Sequence, residues 1–468
     1  MEEKIYIYYT NDLHSNFQQW PRVARFLKDK KRTREAYGDA FFLMDIGDHM
    51  DRVHPISEAF KGKANVALLN KLEYDFVTIG NNEGITLSHE ELFQLYDEAS
   101  FEVICANLHS LRGENPAWLH PIGIKETKSG IRIGVIGLTA PFNDYYELLD
   151  WHVSPIYSTL DRHIHNLKNS SDIVVLMSHL GLSEDEEIAR RYPEIDVIIG
   201  GHTHHLLRTG EEIQQTIITA AGKHCFHVGE VILTWSHSEK KLVKKEAYAT
   251  DITNYEKDMD TKETLREMEK KADGLLEETV AELEKPLEKD WFRDTLLMQE
   301  LTHTLRKWTK ADCAMLNAGL LLDSLPAGKV TYKDVHRVCP HPINPVIVEL
   351  TGNELVEVIR VSLTKEFMEF PLKGFGFRGE MLGKMMFSGI NVETGRHRNG
   401  EPYVKNVIQE NGELINGNKR YFVATADTFT FGRMLPEVAK SEVKQYFLPE
   451  FIRDLLADTL KHKFSKQL

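Results

Sequence analysis

The run at 196–205, D-V-I-I-G-G-H-T-H-H, constrains this chain more than any other stretch. A short apolar segment that ends in two glycines and then releases His202, His204 and His205 fits a buried strand opening into a ligand-bearing loop. In extended backbone alternate side chains face the same way, so His202 and His204 can reach one centre. Neutral imidazole is a common ligand of zinc, manganese and iron. Taken alone, the run also fits a patch of surface polar residues.

It does not stand alone, because the chain before it alternates strands and helices. Apolar and β-branched runs predict strands at 5–10, 40–44, 76–79, 103–106, 131–138, 173–177 and 197–199, with helices at 20–34, 55–72 and 184–192. Residues 216–220 and 227–235 read as antiparallel strands closing the domain. Five strand ends in succession release Asp12 with His14, Asp48, Asn81, His179, and His202 with His204. In layered α/β folds functional groups gather outside the carboxyl ends of the strands, so residues far apart in sequence can converge there. Singly, Asp48 reads equally as a cap, Asn81 as a turn residue and His179 as a core histidine; the recurrence carries the argument.

Histidines, two aspartates and an asparagine offer mixed nitrogen and oxygen ligation, which suits Mn, Zn or Fe ions better than an all-oxygen magnesium cage. Two ions at the roughly 3.5–4 Å spacing of hydrolytic centres need a shared carboxylate. Asp48 is the natural bridge, with Asp12, His14 and His204 completing one ion and Asn81, His179 and His202 the other.

The motifs D-x-H, G-D, G-N-x-E, S-H-x-G and G-G-H-x-H, in this order, resemble the calcineurin-like metallophosphoesterases, and the full set resembles their 5′-nucleotidase branch. The resemblance implies a four-layer α-β-β-α sandwich, two divalent metal ions on those same seven residues, and attack on phosphorus by a metal-activated water. One departure bears on mechanism. Where the family reads G-N-H-[DE], this chain reads Gly80-Asn81-Asn82-Glu83, so the position whose histidine contacts the phosphoryl group and assists the leaving group is Asn82. Asparagine donates a hydrogen bond but delivers no proton. Asp48 and Asn82 are therefore the expected catalytic positions, with hydrolysis slowed on poor leaving groups; His49 and His205 are candidate replacements for the missing imidazole.

Residues 255–287 are dense in Glu and Lys, with Leu265, Met268, Ala272, Leu275 and Leu276 at helical spacing, and predict a long exposed connecting helix. The expected domains are thus 1–250 (metallophosphoesterase), 251–290 (helical linker) and 291–468, an α+β domain opening with an amphipathic helix at 294–308. The last part resembles the 5′-nucleotidase carboxy-terminal domain, which implies a nucleoside gripped between two phenylalanines by arginines and an asparagine, with domain rotation bringing it to the metals. The likeness thins where it would name the substrate. The family's N-G-G-G-x-R is N-A-G-L-L-L here, keeping Asn317 and Gly319 but ending in Leu322; P-F-x-N has become P-H-P-I-N, with His341 and Asn344; and the glycine-rich segment reads F-G-R-M-L at 431–435. Phe375, Phe377, Phe429 and Phe431 are the candidate stacking residues, worth roughly 1–3 kcal/mol to a bound base, and Arg378 is the candidate anion clamp.

Composition narrows the function classes. A chain of 468 residues exceeds one core, and a net charge of -14 argues against nonspecific nucleic-acid or membrane-surface binding. No basic stripe supports a nuclease. Cys105, Cys225, Cys313 and Cys339 lack C-x-x-C spacing and read as reduced core residues. The acidic start M-E-E-K-I-Y-I-Y-Y enters a strand at once, and no apolar run reaches membrane-spanning length, so a cytoplasmic location is expected. The expected function is metal-dependent hydrolysis of a small phosphorylated substrate, a nucleotide. The alternative is a nucleotide or metal sensor that kept the ligands and lost the chemistry.

Overall fold

Aromatic and β-branched runs such as E-E-K-I-Y-I-Y-Y-T and I-V-V-L-M-S-H form the long strands Glu2–Thr10 and Ile173–His179, each buried at its carboxyl end. The computed structural model describes residues 2–464 except 399, 401 and 433, in two units, Met1–Ala272 and Asp273–Leu468.

In the first unit two sheets lie face to face. One has seven strands in the order Lys241–Asp251, His227–Ser236, Glu2–Thr10, Ala40–Asp45, Phe76–Val77, Glu102–Ile104, Leu119–His120. The other has six, in the order Glu211–Ile213, Thr216–Thr219, Val197–Gly200, Ile173–His179, Arg132–Thr139, Ile122–Glu126. Ile7, Tyr9, Met44 and Phe76 of the first meet Val135, Val175, Met177 and Ile199 of the second in one buried core. The outer face of the second sheet is covered by helix Ile156–Ser170, through Leu160, Ile164 and Leu167, and by helix Leu182–Arg191, through Ile188 and Ala189. Helix Trp20–Tyr37 packs on the first sheet with Trp20, Val23, Ala24 and Leu27 buried at helical spacing. Burying each such large side chain contributes about 1.5–3 kcal/mol. The result is the four-layer α-β-β-α sandwich.

Parallel pairing sets the strand ends side by side. Thr10 pairs with Asp45, Ser178 with Gly200 and His179 with Thr139. The loops that follow therefore leave along one rim.

Three expectations need correction. The helix predicted at 55–72 is two, Pro55–Phe60 and Lys63–Lys71, because Lys61 and Gly62 take left-handed backbone (φ 50° and 82°) that no helix continues through. The strands expected at 216–220 and 227–235 do not pair with each other. Thr216–Thr219 runs parallel to Val197–Gly200 in one sheet, and His227–Ser236 pairs antiparallel with Glu2–Thr10 in the other. The run at 255–287 is helical only over Met259–Leu276; the β-branched Thr279 and Val280 begin a strand, Thr279–Leu283, that pairs antiparallel with Gly328–Thr331.

The second unit carries a five-stranded sheet, Met385–Ser388, Cys313–Asn317, Arg420–Ala426, Pro345–Thr351 and Lys444–Tyr446, in which only Cys313–Asn317 and Arg420–Ala426 run parallel. Helices Leu296–Thr309 and Gly352–Ser362 pack on it and Ile452–Thr459 packs on the first of these, which makes it the α+β unit. Among the described residues no helix is long and apolar enough to cross a membrane.

Candidate functional site

The loops after strands Glu2–Thr10 and Ala40–Asp45 are laced together by their own backbone. Asp12 N–H donates to Gly47 O (3.1 Å) and His14 N–H to Asp48 O (2.9 Å). A third loop presses on them: a Cβ on Gly47 would lie 2.4 Å from Gly80 N, and one on Gly80 2.1 Å from Asp48 Oδ1. These two positions accept only glycine, which is why G-D and G-N recur at the strand ends.

Five of the seven candidate ligands hold left-handed backbone: Asp12 (φ 49°), His14 (48°), Asp48 (50°), His202 (69°) and His204 (59°). Such conformations cost of order 1–3 kcal/mol each outside glycine, and they concentrate where function requires a side chain to be aimed. Here they turn the side chains inward. His14 Nε2 and His204 Nε2 face each other at 3.0 Å, with Asp12 Oδ1 3.8 Å from the first and 3.5 Å from the second. On the other side Asn81 Oδ1 lies 3.2 Å from His179 Nε2 and 2.9 Å from His202 Nδ1. Asp48 stands between the two groups, Oδ2 3.7 Å from His14 Nε2 and Oδ1 3.4 Å from His179 Nε2. All seven residues meet at one rim.

The donor set fits cations. Asp12, Asp48 and His179 are fully buried, and among the described residues no lysine or arginine pairs with either carboxylate. Burial works to raise both acids, yet His204 and His179 beside Asp12, and His179 and His14 beside Asp48, hold them below the usual carboxylate range. Burial would likewise lower His179, but Asp48 and Asp12 push it up to about 10. The pair of buried negative charges demands positive charge, which divalent ions would supply. His179 Nδ1 is bound to the carbonyl of Ile46 at 2.7 Å, which turns Nε2 toward Asp48 and Asn81, the arrangement typical of a metal-ligating histidine. Burial lowers His202 to about 4, so it is a neutral imidazole.

Asn82 belongs to this cluster. Its Nδ2 donates to Asp48 Oδ2 (2.7 Å) and lies 3.2 Å from His14 Nδ1, while its backbone N–H donates to Asp48 Oδ1 (2.8 Å). Neither suggested replacement imidazole is well placed. His49 is sealed in beside Asn65 and Trp20, and His205 bonds the hydroxyl of Thr203 on the exposed side.

Two residues went unassigned in the sequence. Glu83, buried, accepts from the backbone N–H of Asp48 (3.0 Å), Gly80 (3.0 Å) and Met50 (2.8 Å), tying the G-D and G-N loops together; burial and the nearby Asp48 push its carboxyl up to about 7. His224 sets its ring edge-on to His14 at 5.9 Å, and its backbone N–H donates to Asp12 O (2.7 Å). It follows strand Thr216–Thr219, so the strand-end rule that found the ligands also reaches it.

The candidate substrate residues of the second unit divide. Phe375 and Phe431 stack face to face, centroids 5.9 Å apart and planes 9° from parallel, with Phe375 half exposed. Phe377 instead is buried against His341 (5.1 Å, 7°), and Phe429 is buried against Phe367. These two are packing residues and leave no face open to a base. Asn317 and Asn344 spend their amides on the carbonyls of Leu382 (2.7 Å) and Glu450 (2.8 Å). Gly319 lets the 381–382 backbone approach, since a Cβ would meet Met381 O at 2.0 Å. Arg378 donates its backbone N–H to His341 Nδ1 and its guanidinium to Phe377 O. Of the F-G-R-M-L segment, Arg433 lies outside the described residues.

Residues 5–206 match the calcineurin-like phosphoesterase family and residues 278–434 the 5′-nucleotidase C-terminal domain. An uncharacterized metallophosphoesterase of Bacillus subtilis (strain 168) is 42% identical over 458 residues, 98% of this chain and 99% of that one. A 5′-nucleotidase of Vibrio cholerae serotype O1 is 26% identical over 77% of this chain and 76% of its own. Among solved structures, the NAD nucleotidase of Haemophilus influenzae shares the fold with a TM-score of 0.68 at 16% identity, over 98% of this chain and 96% of that one.

Proposed function

The chain belongs to the calcineurin-like metallophosphoesterases that carry a 5′-nucleotidase C-terminal domain, and is thereby a metal-dependent phosphoester hydrolase; from that premise we propose that its substrates are nucleotides and that Mn, Zn or Fe ions serve it. Asp12, His14 and His204 would hold one ion and Asn81, His179 and His202 the other, with Asp48 shared. When bound, the ions supply an activated water and neutralise charge developing on the phosphoryl group.

The protein's own residues do the rest. The carbonyl of Ile46 fixes the tautomer of His179, and Glu83 holds the G-D and G-N loops in register. Asn82, whose amide donates to Asp48 Oδ2, would border the phosphoryl oxygens and brings no proton for the departing group. Hydrolysis accordingly favours substrates whose leaving oxygen needs no protonation.

One observation carries the nucleotide reading: the parallel pair Phe375–Phe431. Phe375 is held at φ 52° between Gly374 (89°) and Gly376 (76°), and its carbonyl is pinned by the Thr428 hydroxyl at 2.9 Å. A phenylalanine forced into left-handed backbone and half exposed is being presented, and an aromatic base is the partner its face suits. The test is hydrolysis by the purified protein, loaded with Mn²⁺ or Zn²⁺, of a nucleotide panel and of p-nitrophenyl phosphate. Nucleotide turnover that F375A and F431A weaken, with p-nitrophenyl phosphate turnover unchanged, supports the reading. Turnover of the aryl phosphate alone refutes it.

A further inference from the structure

Beside the aromatic pair the second unit holds a cavity of ≈ 400 Å³, and Phe375 and Phe431 both line it. That volume lies within the range of small-molecule sites. Its remaining wall is apolar, built chiefly from Val361, Phe367, Leu372, Leu382 and Met434, with Phe370 half exposed at the edge. Among the described residues only two polar side chains, Thr364 and Glu366, reach it. Thr364 is already committed, its hydroxyl donating to Val361 O (2.7 Å) and accepting from Phe367 N–H (3.2 Å) as the cap of a short helix. Glu366 is exposed at the rim.

A wall like this rejects the hydrogen-bonding edge of an ordinary base or the hydroxyls of a ribose, because their polar groups would be desolvated there without partners. It rewards an alkyl or aryl group in proportion to the surface buried. The anchoring arginine expected after Asn317 is Leu322, so no positive side chain from that motif redresses the balance.

We propose that this cavity receives an apolar substituent carried by the base stacked on Phe375 and Phe431, so that the chain prefers nucleotides with an alkylated or arylated base over unmodified ones. The inference rests on the nucleotide reading above and narrows its substrate class. The stacking pair holds what all nucleotides share. The cavity selects what only the modified ones carry.

The test compares adenosine 5′-monophosphate with its N6-benzyl and 8-benzylthio derivatives, each against the metal-loaded wild-type protein, and compares binding of the corresponding nucleosides to the metal-free protein by calorimetry. At least one derivative should show kcat/KM raised about tenfold or more, the discrimination an apolar pocket can reach, with a matching gain in nucleoside affinity. M434Q and F370Q, which place an amide at the edge of the cavity, should bring that ratio towards one. Equal kcat/KM for all three nucleotides, or a ratio untouched by both substitutions, overturns the inference and leaves the nucleotide reading standing. Hydrolysis of p-nitrophenyl phosphate with no turnover of any nucleotide removes both.

Discussion

Replacing Asn82 with histidine restores the imidazole that the G-N-N-E motif lacks, and its effect should depend on the leaving group. Asn82 is nearly buried and its amide lies 2.7 Å from Asp48 Oδ2, so a side chain at this position borders the shared carboxylate. A positioned general acid is worth about 10²–10⁴-fold when the departing oxygen must be protonated. The lower figure corresponds to about 2.7 kcal/mol of barrier. A nucleoside alkoxide needs that proton, whereas p-nitrophenolate leaves without it. N82H should therefore raise kcat on a nucleotide monophosphate by about 10²-fold while changing kcat on p-nitrophenyl phosphate by less than about threefold. The assay is steady-state hydrolysis of both substrates by both proteins at matched metal content, measured by elemental analysis. If N82H is no faster than the parent on the nucleotide, or accelerates both substrates alike, the assignment of Asn82 as the missing proton source is wrong.

Removing the stacking face with F431A should raise KM for a nucleotide about 5- to 150-fold, the equivalent of 1–3 kcal/mol, and spare p-nitrophenyl phosphate. F377A, by contrast, empties a packed site against His341 and should cost about 3–5 kcal/mol of stability, read as a lower unfolding midpoint in denaturant. E83Q puts an amide N–H₂ where three backbone N–H groups now find acceptors; one unmet buried donor costs about 1–3 kcal/mol, so the midpoint should fall and metal occupancy with it. EDTA should abolish hydrolysis, and Mn²⁺ or Zn²⁺ should restore it in the wild type but not in D48N.

The candidate site of the first unit was legible because its chemistry is written at strand ends. Asp12, Asp48 and His202 each follow a buried apolar run, and parallel pairing converts that shared sequence position into a shared place in space. Glu83 was visible within G-N-N-E, but its task is to accept from the backbone of a distant loop, which no side-chain pattern records. The helix break at Lys61-Gly62 was hidden because helical periodicity runs on through both residues; the left-handed backbone at 62 (φ 82°), with Met50 and Leu95 2.5 Å and 2.9 Å from where a Cβ would sit, is what calls for the glycine. In the second unit four phenylalanines looked equivalent. Burial separates them: Phe377 and Phe429 serve packing, and Phe375 is lifted out by three successive left-handed residues. Such a division depends on tertiary packing, which spacing alone does not encode.

The account rests on seven donors from five strand ends sharing two cations across Asp48. Anomalous X-ray scattering from crystals grown with Mn²⁺ or Zn²⁺, paired with elemental analysis, tests it most directly. The account predicts two ions per chain, one beside Asp12, His14 and His204 and one beside Asn81, His179 and His202, with D48N losing at least one. A single ion, ions bound elsewhere, or full occupancy in D48N would contradict it.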